Sequence, residues 1–270
     1  MTPRDLWRSA KQWVPFAART AMYGSLSVTL GPMTSDRRVS LWAMRKWCID
    51  STRALAIEVV ADGLDNIPSN GAFVYTSNHQ SIVDIIVLGS VLRGDYKWVA
   101  KRSLLRVPFL GWHLALSGHV PVDRGGGPRA AAEVIERFVK VLGDGKPLLI
   151  FPEGTRTADG NLKSFKNGGF YAAVRANVPV VPVALNGTFD LMRRGAPNTG
   201  ENNLRRVRVS VGTPIYPTST GRESIRVNDL RERAHAAVTD QLLSIGGLAA
   251  PRSASRNDGE SATPEDRAEP

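Results

Sequence analysis

Two residues that could share a proton, His79 and Asp84, stand five positions apart in Asn78-His79-Gln80-Ser81-Ile82-Val83-Asp84. An apolar run, Ala72-Phe73-Val74-Tyr75-Thr76, precedes them, and another, Ile85-Ile86-Val87-Leu88, follows. A polar knot between two such runs reads as a strand end, a turn and a helix start. Deep inside one α-helix the pair would diverge by about 140°. Contact therefore requires His79 in the turn or at the helix lip, with Asp84 one turn in. The carboxylate then accepts a hydrogen bond from one imidazole nitrogen. The other nitrogen is left as a base facing the mouth of the sheet.

A base oriented by a carboxylate is two thirds of a triad, and the nucleophile is missing. Ser81 lies between the pair, a poor position for attack. Cys48, the only cysteine, sits far upstream in an apolar, Trp-flanked stretch. The simplest remaining chemistry is removal of a proton from a hydroxyl that the substrate brings. A lone histidine is more often structural, so the weight rests on what the rest of the chain places beside it.

The 270 residues suit one α/β domain with appendages, and the net charge of +10 points to an anionic partner. That partner is a nucleic acid, an anionic bilayer surface or a phosphorylated substrate. No run that interleaves aromatics with Lys and Arg resembles an RNA-binding strand, and no helix-turn-helix or zinc-finger pattern is present, so nucleic acid is set aside. One cysteine excludes an internal disulfide framework and a cysteine-based zinc site.

Residues 1–56 differ from the rest. Basic Arg4, Arg8, Lys11 and Arg19 alternate with Leu6, Trp7, Trp13, Val14 and Phe16, and four of the six tryptophans fall here. The charge-free stretch from Thr20 to Ser35 would span only about 24 Å as a helix, short of a bilayer's apolar core. It also holds Gly24, Gly31 and Pro32. The composition suits a helical pair, broken near Pro32, lying in the interface of one leaflet. The alternative is an ordinary helical hairpin packed on the core. On the first reading, deleting residues 1–50 leaves a soluble, weakly active protein.

Residues 57–250 alternate apolar strands with amphipathic helices, which implies a mostly parallel central sheet flanked by helices. Residues 251–270 carry no large apolar side chain and are expected to be a disordered tail. Such sheets bind ligands beyond the carboxyl ends of their strands. His79 with Asp84, Lys101, Asp123 with Arg124, and Glu153, Thr155 and Arg156 each follow a separate apolar strand. Any one cluster is unremarkable, but four together predict a single cleft.

These residues resemble the glycerolipid acyltransferases, specifically the 1-acyl-sn-glycerol-3-phosphate acyltransferase family. Its N-H-x4-D block is present as Asn78, His79 and Asp84. Gly118 to Arg124 matches the second block, Phe151 to Arg156 is an intact F-P-E-G-T-R, and Val178 to Val183 matches the apolar fourth block. Pro121 departs from the bulky apolar residue more usual in the second block. The resemblance runs from about Gly63 to Pro214. It implies that His79 deprotonates the sn-2 hydroxyl of a lysophosphatidic acid, which attacks the thioester of acyl-CoA or an acyl carrier protein to give phosphatidic acid. Asp84 would fix the imidazole tautomer. Arg124 and Arg156 would hold the phosphate, with Gly154 and Thr155 as further donors and Lys101 near the oxyanion or the CoA phosphates. Glu153 would orient an arginine or a substrate hydroxyl. No metal and no cofactor are implied beyond the acyl donor, and the enzyme is expected on the cytoplasmic face of the cell membrane. Open alternatives are another lysophospholipid or glycerol 3-phosphate as acceptor, a lipid or thioester hydrolase, and a non-catalytic basic module binding membranes or nucleic acid.

Overall fold

The computed structural model describes residues 3–34, 37–123, 125–189, 191 and 205–247, with side chains from Val14 onward. The expected tail, 251–270, lies outside them.

The described residues form a seven-stranded sheet in the order β1-β7-β6-β2-β5-β3-β4. The strands are β1 (Ile57–Asp62), β2 (Val74–Ser77), β3 (Lys97–Lys101), β4 (Val120–Val122), β5 (Leu148–Ile150), β6 (Val180–Asn186) and β7 (Arg205–Val211). Every neighbouring pair is parallel except β6 and β7. It follows that β2 to β6 all end on one edge of the sheet, while β1 and β7 run the other way.

Helices cover both faces: α1 (Pro3–Leu30), α2 (Arg38–Ala54), α3 (Asp84–Val91), α4 (Leu110–Leu116), α5 (Gly127–Gly143), α6 (Gly168–Ala176) and α7 (Glu223–Ser244). Alternate residues of the central strands feed opposite layers. Tyr75, Leu149 and Val181 join Ala43, Trp47 and Leu88 on one side. Val74, Leu148 and Val180 join Phe138, Phe170 and Leu230 on the other. Burial from both faces is why β2, β5 and β6 read as unbroken apolar runs. The pair β1 and β7 alternates instead: Ile57, Val59 and Ala61, with Val207, Val209 and Val211, pack on the core, while Val60, Arg206 and Arg208 face outward.

The N-terminal hairpin does two things at once. It packs on the core: Trp47 is buried and donates its indole N–H to Thr20 Oγ1 at 3.0 Å, and Tyr23 OH donates to Asp50 Oδ2 at 2.5 Å. Where α2 crosses α3, a Cβ on Gly89 would stand 2.3 Å from Cys48 Sγ, so glycine sets how close the helices come. The hairpin also leaves apolar side chains in the open: Met33 is 80%, Val14 65% and Trp42 52% exposed. Trp42 and Trp47 are chemically alike, yet one faces outward and one is core. Removing residues 1–50 would strip Ala43, Met44, Trp47 and Cys48 from the core, so the soluble truncation expected from composition does not follow. Among the described residues no helix is long and apolar enough to cross a membrane.

Candidate active site

The turn between β2 and α3 is locked from below. Asn78 exchanges two hydrogen bonds with Leu185 on β6: its side-chain N–H donates to the Leu185 carbonyl, and the Leu185 N–H donates to Asn78 Oδ1, both at 2.8 Å. Both groups are deeply buried, where an unpaired amide would cost about 1–3 kcal/mol. His79 follows in the turn, and its Nδ1 lies 2.7 Å from Asp84 Oδ2. Asp84 is not one turn in; it is the first residue of α3. Because residues 79–83 form an irregular loop, its side chain reaches back over them. The same Oδ2 accepts the backbone N–H of Gln80 at 2.7 Å and of Ser81 at 2.9 Å. Oδ1 accepts the Thr188 hydroxyl at 2.5 Å. With Nδ1 committed to Asp84, Nε2 of His79 has no partner among the described residues. The imidazole is stacked on Phe151, with ring centroids 4.0 Å apart and planes at 16°. Ser81 is fully buried beneath the pair, away from any attacking position.

The Phe151–Arg156 segment, directly after β5, grips the histidine's backbone. Glu153 Oε1 accepts the His79 N–H at 2.7 Å, and Oε2 accepts the Lys163 N–H at 3.2 Å. The Thr157 N–H donates to the His79 carbonyl at 2.8 Å. Both carboxylate oxygens of Glu153 are thus used on main-chain donors. The arginine or substrate hydroxyl expected from sequence is not what they hold. Burial pushes the Glu153 carboxyl up to about 7, against the pull of those two N–H donors.

A raised carboxyl has a sign in stability. Between about pH 4.5, the ordinary glutamate value, and about 7, the native state keeps a proton that the unfolded chain has lost. The native state binds more protons in that window, so the Glu153 contribution is complete below it and is lost as pH rises through it. Urea titrations from pH 4.5 to 8 are expected to show the wild type's advantage over Glu153→Gln shrinking up to about pH 7 and then levelling. A difference independent of pH would mean the carboxyl is not raised.

Gly154 turns the chain with φ +74, and a Cβ there would meet Lys166 Nζ at 2.8 Å. The positive φ favours glycine there, and a side chain would also have to displace the Lys166 tip. Thr155 and Arg156 follow, both half-buried; the Arg156 carbonyl accepts from Lys163 Nζ at 3.2 Å. The Arg156 guanidinium has no ion pair or hydrogen bond among the described residues. Lys101 ends β3 and is exposed. Its neighbour Arg102 pairs with Asp123 at 2.5 Å, which ties the ends of β3 and β4 together. Arg124 lies outside the described residues. The registers Thr76↔Ile150, Trp98↔Leu149 and Lys101↔Val122 bring the ends of β2, β5, β3 and β4 to one edge. The loops carrying His79, Glu153 to Arg156, Lys101 and Asp123 therefore sit side by side.

Sequence reasoning missed Thr188, because the apolar fourth block that leads to it offers no ionisable group. The strand-end rule that singled out the other clusters applies to β6 as well, and Thr188 is two residues past its end. The other described histidines lie in other surroundings, and the buried Nε2 atoms of His113 and His119 have no hydrogen-bond partner among the described residues. Burial pulls His113 down to about 4, and its Nδ1 lies 2.7 Å from Ser27 Oγ. His119 Nδ1 accepts the Trp98 N–H at 2.9 Å, and His235 packs edge-on against Phe165.

Comparison with known proteins gives the chain's relatives. The Acyltransferase family model matches residues 58–186, an interval that holds the His79–Asp84 turn and the Phe151–Arg156 segment. The chain is 41% identical over 155 residues to the chloroplastic 1-acyl-sn-glycerol-3-phosphate acyltransferase BAT2 of Brassica napus, covering 57% of this chain and 44% of that protein. It thus spans a little under half the length of this plant relative. A 1-acyl-sn-glycerol-3-phosphate acyltransferase of Pseudomonas aeruginosa is 31% identical over 248 residues, covering 89% of this chain and 92% of the relative. The crystal structure of the 1-acyl-sn-glycerophosphate (LPA) acyltransferase PlsC from Thermotoga maritima matches with a TM-score of 0.73 at 25% identity, over 88% of this chain and 96% of that one. With a nearly full-length relative, a shared fold and the motif blocks brought to one sheet edge, the chain belongs to the 1-acyl-sn-glycerol-3-phosphate acyltransferase family of enzymes.

Proposed function

We propose that the enzyme transfers a fatty acyl group from a thioester, acyl-CoA or acyl carrier protein, to the sn-2 hydroxyl of 1-acyl-sn-glycerol 3-phosphate, giving phosphatidic acid. The observation that carries this is the His79–Asp84 pair, with Nδ1 bound to a buried carboxylate and Nε2 free. Nε2 takes the hydroxyl proton as the oxygen attacks the thioester carbonyl. Collapse of the tetrahedral adduct expels the thiolate, which recovers the proton from His79. An ester and a thiol result, with no acyl-enzyme and no protein nucleophile. Asp84 holds the tautomer and faces the imidazolium while it exists. Glu153 and Thr157 hold the histidine's backbone. Arg156 and Arg124 receive the phosphate, and Lys101 serves the oxyanion or the CoA phosphates.

The test is acyl transfer from acyl-CoA and from acyl carrier protein to a panel of lysophosphatidate, glycerol 3-phosphate and other lysophospholipids. Phosphatidic acid formed only when lysophosphatidate is supplied supports the reading. Free fatty acid released at the same rate without acceptor would make the protein a hydrolase.

The substrate is a membrane lipid, and the hairpin supplies a surface for reaching it on one leaflet, the cytoplasmic one. Exposed Met33 and Trp42 flank exposed Arg37, Arg38 and Arg45, an apolar and cationic mixture suited to anionic headgroups. The double variant Met33→Ser/Trp42→Ser is expected to float with anionic liposomes several-fold less than wild type, at an unchanged melting temperature. Equal flotation of the two proteins would remove the hairpin from this role.

A further inference from the structure

The Asp84 carboxylate has two oxygens with very different surroundings. Oδ2 receives three N–H groups, all from the turn it caps: His79 Nδ1, Gln80 N and Ser81 N. Oδ1 receives one donor among the described residues, the hydroxyl of Thr188, 104 positions away. Three donors converging on one oxygen hold that oxygen in place but leave the carboxylate free to swing about it. A donor on the second oxygen is what sets the plane. The lone pair of Oδ2 that faces Nδ1 lies in that plane, so the plane determines how squarely the imidazole is held.

Thr188 is built for that task. It is fully buried. It sits on the loop after β6, where Gly187 adopts φ +104 and a Cβ would lie 2.6 Å from the Arg206 carbonyl, so the loop bends sharply inward there. Its own carbonyl accepts the Leu191 N–H at 3.2 Å. Oγ1 also lies 3.3 Å from Gln80 Oε1, so one hydroxyl touches both the helix start and the turn. A hydroxyl has a single proton, and the 2.5 Å contact to a carboxylate is the stronger use of it.

We propose that Thr188 is a positioning residue for acyl transfer: its hydroxyl orients the Asp84 carboxylate, which in turn aims His79. The kinetic part of this rests on His79 acting as the base. The bland alternative is that Thr188 only satisfies a buried oxygen and contributes stability.

Thr188→Val keeps the shape and removes the hydroxyl, and Thr188→Ser keeps the hydroxyl and removes the methyl. The expected result is a kcat about tenfold lower for Val, the worth of one charge-assisted hydrogen bond, with both KM values within about twofold and serine restoring most of the rate. The Nδ1 proton of His79, followed by NMR in the substrate-free protein, should move in Val and return in Ser. If Val does not fold, Thr188→Cys, a weaker donor, takes its place against Ser and is expected to be slower. Wild-type kcat in Val, equal losses in Val and Ser, or a change confined to KM would each overturn the proposal. A wild type inactive on lysophosphatidate would count against the proposed reaction instead, and the NMR shift would still decide the role of Thr188.

Discussion

Replacing His79 with alanine is expected to lower kcat by about 10²- to 10⁴-fold, the usual worth of a positioned general base, and to leave the acceptor KM nearly unchanged. The split follows from where the ring stands. It lies flat against Phe151 with Nδ1 given to Asp84, so its one remaining function is at Nε2, on a proton that moves only in the transition state. The backbone of residue 79 stays clamped by Glu153 and Thr157 whatever side chain it carries. A melting temperature close to wild type is therefore expected and must accompany the kinetics. Asp84→Asn should fall between wild type and His79→Ala. An asparagine can put its oxygen among the three N–H donors and its NH₂ on Thr188, which preserves geometry while losing the charge that faces the imidazolium. An alanine variant within tenfold of wild type would remove His79 from the chemistry.

The second large effect is expected at Arg156, and in the other constant. Arg156→Ala should raise the KM for lysophosphatidate by about 10- to 100-fold, the range for losing hydrogen bonds to a charged group, with kcat changed only a few-fold. Several arginines in the described structure are spent on carboxylates: Arg102 on Asp123, Arg175 on Glu136 and Glu223, Arg206 on Glu58, Arg233 on Asp229. Arg156 is half-buried beside the histidine loop, and its guanidinium has no protein partner among the described residues, which leaves it available to an anion. Lysine at 156 should recover only part of the loss, because an ammonium cannot pair with phosphate through two parallel N–H groups. Initial rates over a range of lysophosphatidate concentrations give both constants. An unchanged KM would move the phosphate site elsewhere.

The reach of the sequence reading follows sequence distance. The His79–Asp84 contact spans five residues, so turn geometry alone showed what it would require; the depth of Asp84 in its helix was misplaced. The alternating strands and helices led to the mostly parallel sheet for the same local reason. Glu153 was seen as part of the site, but its acceptors' donors are the backbone of His79 and Lys163. A main-chain N–H leaves no trace in residue type, so nothing in the sequence could point to it. Trp42 and Trp47 differ only in which way α2 turns once α1 and α3 are packed on it.

By itself, the sequence determined the elements and the chemical groups at their ends, because hydrophobic period and turn chemistry act over a few residues. It also put a histidine and an acid within reach of each other through a turn. Tertiary structure decided what each group is for. It gave Glu153 to the main chain, left the Arg156 guanidinium open, and brought Thr188 across the sheet onto Asp84. The reason is physical: a buried polar group must find a partner, and in a parallel sheet that partner comes from a neighbouring strand's end, often a hundred residues away.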